Sequence, residues 1–174
     1  GIERLDVERH VIGPHVDLLE ALNTLSSGDV AAFYDSEREK VFAPEGEMTP
    51  TLRATLVHEL THALQDQRFG LDRLQDDDGS DQNSAFRALV EGDAQRIQQA
   101  YVAAMSPEDA AAYQEEQKKD NASVTGALKG VPTVLRSLFE SSYILGDSFT
   151  QVLLADGGQS RIDVAFGEPP TDEA

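Results

Sequence analysis

The sequence predicts a helix-dominated α+β domain, and three observations carry that expectation. Long stretches hold apolar residues at helical spacing. Two helix starts are marked by a hydroxyl residue followed by proline, at Thr49-Pro50 and Ser106-Pro107. Short β-type runs occur at Val30–Tyr34 and Lys40–Ala43, with the polar segment Asp35–Glu39 between them, a hairpin pattern. With 174 residues, 40% of them hydrophobic, and 13 Gly, the chain has the length of one domain and enough apolar material to bury a core. The expected domain spans residues 1–174.

The elements follow in order. His15–Leu25 places Val16, Leu18, Leu19, Leu22 and Leu25 on one side of a short amphipathic helix, closed by Ser26–Gly28. Thr49 is placed to cap the next helix. Pro50 takes its first position, where a missing N–H costs nothing. That helix runs from Leu52 to Phe69 without a breaker, and Gly70 ends it. Asp72–Asp81 is a polar, acidic turn. Asn83–Met105 reads as a long second helix with Phe86, Leu89, Val90, Ala94, Ile97 and Val102 as its core side. Ser106-Pro107-Glu108-Asp109 starts a charged surface helix over Pro107–Lys119. Asp120–Gly130 is expected to be a loop. Val134–Phe139 and Tyr143–Ala155 are expected as separate helical stretches, Gln159–Phe166 as a short final helix, and Gly167–Ala174 as a polar tail.

Composition excludes several function classes. Fourteen Lys and Arg stand against 32 Asp and Glu, a formal charge of −18. A surface this negative repels phosphate, so nucleic acid and anionic membranes are poor partners. No run approaches the ~18 apolar residues of a membrane span. The absence of Cys excludes disulfides, iron–sulfur clusters and thiol catalysis. No signal-type segment opens the chain, and Gly1 in place of Met reads as a processed start.

The chemistry concentrates in His58-Glu59-Leu60-Thr61-His62, inside the first long helix. Residues four apart lie one turn apart on one face, so His58 and His62 can each present a ring nitrogen to one Zn²⁺. Glu59 is turned about 100° away. It suits a general base acting on water rather than a ligand. Apolar flanks at Leu56, Val57, Ala63 and Leu64 predict that this helix is buried. A catalytic zinc needs a third protein ligand and an open position. The other histidines, His10 and His15, lie upstream, share no helical face and read as ordinary. The third ligand is therefore an upstream His or a downstream carboxylate. Glu91 is the best candidate, a mid-helix carboxylate among apolar residues, where an unpaired charge is expensive. An ion pair with Arg87 is the plain alternative, and Asp93 is the second choice. Gly92 lowers helix propensity by ~1 kcal/mol but admits a close neighbour. The acidic run Asp76–Asp81 fails calcium-loop spacing, since Leu74 and Ala85 stand where ligands belong.

His58–His62 with Glu91-Gly92-Asp93-Ala94 downstream resembles the gluzincin metallopeptidases, whose third ligand is a Glu on the helix after the active-site helix. The gap from His62 to Glu91 is longer than in thermolysin-like members. The chain is more closely similar to a group of predicted bacterial and archaeal zinc metallopeptidases. The residues that carry this are Phe33-Tyr34-Asp35, the run His58-Glu59-Leu60-Thr61-His62-Ala63-Leu64-Gln65-Asp66-Gln67, and Ala88–Ala94. Tyr143, Gly146 and Phe149 match that group's Tyr-x-x-Gly-x-x-Phe helix, and Gly157-Gly158 and Pro169-Pro170 match its later segments. The similarity spans Ala31 to Pro170.

The resemblance implies a zincin-like domain with a small sheet packed on the metal-binding helix. It implies His58, His62 and Glu91 as zinc ligands, Glu59 as general base and Tyr143 as oxyanion donor. Peptide substrate would bind as a strand added beside the Val30–Ala43 hairpin. Asp66 or Asp93 would orient a ligand histidine. It also implies an exported or cell-envelope location. Relatives carry more sequence after the Pro-Pro, so a trimmed core or a short member is expected. The expected function is zinc-dependent peptide hydrolysis. The alternative is a non-catalytic or latent zinc-binding interaction domain that retains the fold.

Overall fold

A computed structural model describes residues 32–71, 74, 81–127 and 133–169, with side chains for all of these except 81–82 and 122–144. His10, the expected helix His15–Leu25 and most of the acidic turn lie outside the described residues. Two short strands, β1 (Phe33–Asp35) and β2 (Lys40–Phe42), are followed by five helices: α1 (Pro50–Phe69), α2 (Asp81–Ala103), α3 (Pro107–Ala127), α4 (Thr133–Gly157) and α5 (Gln159–Gly167). The described residues are thus helix-dominated, with one small antiparallel sheet. The strands pair Phe33 with Phe42, Tyr34 with Val41 and Asp35 with Lys40. None of the described helices is long and apolar enough to cross a membrane.

The capping signals act as expected. Thr49 Oγ1 accepts the Leu52 N–H at 3.2 Å, Pro50 opens α1, and Gly70 ends it at φ 68°, a conformation that favours glycine. Two boundaries differ from expectation. Asp120–Ala127 is helical, because α3 continues past Lys119 with no proline to stop it. Modest propensity at Asp120, Asn121 and Ser123 is a weak prior that tertiary context overrides. Likewise the two stretches expected after residue 133 form one helix, since nothing in Glu140-Ser141-Ser142 breaks it.

The core lies among α2, α4, α5 and the end of α1. It holds Leu71, Phe86, Leu89, Val90, Leu153, Ile162 and Phe166. Phe166 anchors it, stacked on Phe69 at 4.6 Å and edge-to-face with Phe86 at 6.1 Å. Of the expected core side of α2, Phe86, Leu89, Val90 and Ala94 are buried, while Ile97 and Val102 are only partly so. The close neighbour that Gly92 admits is Gly146 on α4. A Cβ built on Gly92 would run into the Gly146 carbonyl and sit 2.7 Å from its Cα, and one on Gly146 would run into the Ala88 carbonyl. The two helices therefore touch backbone to backbone beside Glu91.

Of the apolar flanks expected to be buried on α1, Leu56, Val57 and Ala63 are half-buried and Leu64 is exposed. Leu60 and Leu64 are 57% and 54% exposed, while His58, Thr61 and Gln65 are buried. The polar stripe at i, i+3 and i+7 faces inward, against α2. Burying polar groups is costly unless they find partners, so this inversion asks what those partners are.

Candidate metal centre

The first turn of α1 is fixed from outside. Glu116 on α3 accepts the Thr51 N–H at 2.9 Å, and Arg53 pairs with Asp109 at 2.6 Å. These contacts hold the helix that carries His58 and His62. The two imidazoles stand edge-to-face with centroids 4.6 Å apart. Glu91 arrives from α2, with its Oε2 3.4 Å from His58 Nε2 and 3.8 Å from His62 Nε2. All three donor atoms lie within 4.8 Å of one another.

This spacing suits a cation. Ligands held ~2.0–2.1 Å from a tetrahedral zinc sit roughly 3.4 Å apart. Glu91 Oε2 is buried and has no hydrogen-bond partner among the described residues. A buried carboxylate oxygen without a donor is costly, and a divalent ion at the convergence of the three atoms removes that cost. Burial pushes the Glu91 carboxyl up. The neighbouring His58 and His62, with a weaker contribution from Arg87, outweigh this and hold it below the usual carboxylate range. It is therefore ionised, as a ligand must be. Two imidazoles and one carboxylate are zinc's ordinary donors, so the residues fit that ion.

Behind the three converging side chains lies a second layer. His62 Nδ1 meets Gln65 Oε1 at 2.9 Å. Gln65 Nε2 donates to the Val90 carbonyl and to Asp93 Oδ2, both at 3.1 Å. Asp93 is 5% exposed and paired with Arg96 at 2.6 Å, and Arg96 also donates to Gln159 at 2.8 Å. Asp93 is thus one step removed from the histidine, through Gln65, and is not among the three converging ligands. Asp66 does not orient a ligand histidine. It accepts the Tyr34 hydroxyl at 2.8 Å and the Leu71 N–H at 2.7 Å. Its position seven residues after Glu59 turns it toward β1 rather than toward α2.

Glu59 is held by the hairpin, its Oε2 accepting the Tyr34 N–H at 2.8 Å. Tyr34 therefore grips α1 twice, by its amide at Glu59 and by its hydroxyl at Asp66. It also lines, with Ser36, His62, Leu71, Leu74, Val90 and Glu91, an open cleft of ≈ 240 Å³. Burial, then the hydrogen bond to Asp66 and its charge, push the Tyr34 hydroxyl up from 10.0 to about 12. A raised folded value stabilises the protonated form, so the contribution is whole below pH 10 and lost as pH rises toward about 12. Tyr34→Phe is expected to cost about 1 kcal/mol in denaturant unfolding at neutral pH. The difference from wild type should close between pH 10 and about 12. An equal difference across that range would refute the Asp66 contact.

The remaining candidate, Tyr143, lies on α4, but its side chain is outside those described. The sequence reading missed Gln65 and Tyr34 as parts of the site. The signal for Gln65 was its place three residues after His62 and seven after His58, on the ligand face. Tyr34 offered no such signal, because its partners are 25 and 32 residues away. No family model, curated protein or solved structure matches this chain.

Proposed function

We propose that the protein is a zinc-dependent peptidase built on a zincin-like domain. The observation that carries this is the convergence of His58 Nε2, His62 Nε2 and the buried Glu91 Oε2, which has no hydrogen-bond partner among the described residues, with Glu59 on the same turn of α1. The resemblance to gluzincins points the same way. Bound there, zinc would supply Lewis acidity, polarising a scissile carbonyl and acidifying water. The chain's residues do the rest. Glu59 takes the proton of the attacking water and passes it to the leaving amine. Its Oε2 is fixed by the Tyr34 amide, and Oε1 takes no part in that bond. Substrate lies in the cleft lined by Tyr34, Ser36, His62 and Glu91, with Leu71, Leu74 and Val90 as its apolar wall.

The test is metal loading followed by hydrolysis. Protein exposed to zinc and desalted should hold one zinc per chain and cleave an unfolded protein substrate. Chelation should abolish cleavage and zinc should restore it. Metal content far below one per chain after loading would overturn the reading. A latent zinc-binding domain is the second reading, favoured by one observation, the engagement of the Glu59 carboxylate by the Tyr34 amide. Full zinc loading with no cleavage across a broad peptide library would support it.

A further inference from the structure

We infer that Gln65 is a positioning residue that commits His62 to the metal through a fixed ring tautomer. The inference rests on reading His58, His62 and Glu91 as a metal centre. Gln65 is 3% exposed, and its side-chain amide has three neighbours. Two of them, the Val90 carbonyl and the Asp93 carboxylate, only accept hydrogen bonds. The NH₂ group must face them, which turns Oε1 toward His62 Nδ1. An acceptor at that place demands a proton on Nδ1. His62 Nε2, the atom 3.8 Å from Glu91, is left with its lone pair. Arg96 holds Asp93 in place and reaches Gln159 at the start of α5. The orientation of His62 is thus set by a chain of polar groups that starts at the buried Gln65 and Asp93 and ends at the exposed Gln159 on another helix. By contrast, His58 Nδ1 is buried without a hydrogen-bond partner among the described residues. The orienting group is a neutral amide where a carboxylate could have stood. Glu91 therefore remains the ligand set's sole charge, and a bound divalent ion keeps a net positive charge with which to polarise a carbonyl.

Two variants and two readouts test this. Gln65→Met keeps the side chain's length and removes its hydrogen bonds. Gln65→Glu keeps the acceptor for His62 but sets a carboxylate against Asp93 and the Val90 carbonyl. Zinc affinity is measured by competition with a chromophoric chelator. The His62 tautomer is read by imidazole nitrogen NMR on zinc-free protein, above the pH at which the ring titrates. Wild type should show His62 protonated at Nδ1. Gln65→Met should lose that preference, and both variants should bind zinc roughly 10- to 100-fold more weakly. If Gln65→Met does not fold, the wild-type tautomer still decides, and a proton found on Nε2 overturns the inference. Equal zinc affinity in wild type and Gln65→Met overturns it too, with the metal centre intact. Wild type that binds no zinc overturns the metal centre itself, and the inference with it.

Discussion

Glu59→Gln is expected to keep its zinc and its fold while losing peptide hydrolysis by roughly 10²- to 10⁴-fold, the usual worth of a positioned general base. The substitution is nearly isosteric, and the new amide oxygen can still accept the Tyr34 N–H that Glu59 Oε2 accepts now. The hairpin therefore stays docked. Glu59 is not among the three converging donors, so zinc content should not change. What goes is the basic lone pair that receives a proton from water. The measurement is kcat/KM on a peptide substrate beside metal content and melting temperature. Hydrolysis at the wild-type rate would remove Glu59 from the mechanism.

The second large effect lies in packing. Gly92→Ala is expected to lower stability by about 2 kcal/mol. Alanine gains ~1 kcal/mol of helix propensity over glycine, so on an exposed helix the change would stabilise. Here the added methyl meets the Gly146 backbone, not a flexible side-chain end that can move aside. Overpacking of this kind costs about 3 kcal/mol at the upper end of its usual range, so the clash wins. The same sign holds for Gly146→Ala, whose methyl would meet the Ala88 carbonyl. Because Glu91 adjoins Gly92, pushing α2 off α4 also displaces a proposed ligand, and zinc affinity should fall with stability. Denaturant unfolding and zinc competition measure the two effects. A Gly92→Ala protein as stable as wild type would mean that the helices do not touch at this point.

Much of this was legible in the sequence, for identifiable reasons. Helix α1 declared itself through Thr49, Pro50 and Gly70, whose roles are local. That His58 and His62 stand side by side followed from helical geometry alone, and that Glu91 joins them from the cost of a mid-helix carboxylate among apolar neighbours. Residues that act through distant partners could not be read. Asp93 is more deeply buried than any local pattern suggested: Arg96 neutralises it from the next turn of the same helix, but its contact Gln65 lies 28 residues away on α1. Leu64 misled by its hydrophobicity, being exposed. The inward face of α1 is decided by where His58, His62 and Gln65 find partners on α2. The continuity of α4 was hidden by a polar stretch, Glu140-Ser141-Ser142, that interrupts the apolar pattern without breaking the backbone.

The double hold of Tyr34 on α1 bears on the order in which the molecule assembles. A two-stranded hairpin of three-residue strands is marginal by itself. It leans on two carboxylates of α1, and one of them is the group assigned to proton transfer. The three converging side chains reside on α1 and α2, which pack directly on each other. Metal capture and base alignment are thus separable events. The helices can collect an ion first, and the hairpin, settling afterwards onto Glu59 and Asp66, completes the reactive constellation. On the proposed reading, release of β1 from α1 would free the Glu59 carboxylate from the Tyr34 amide while the three converging side chains on α1 and α2 stay together.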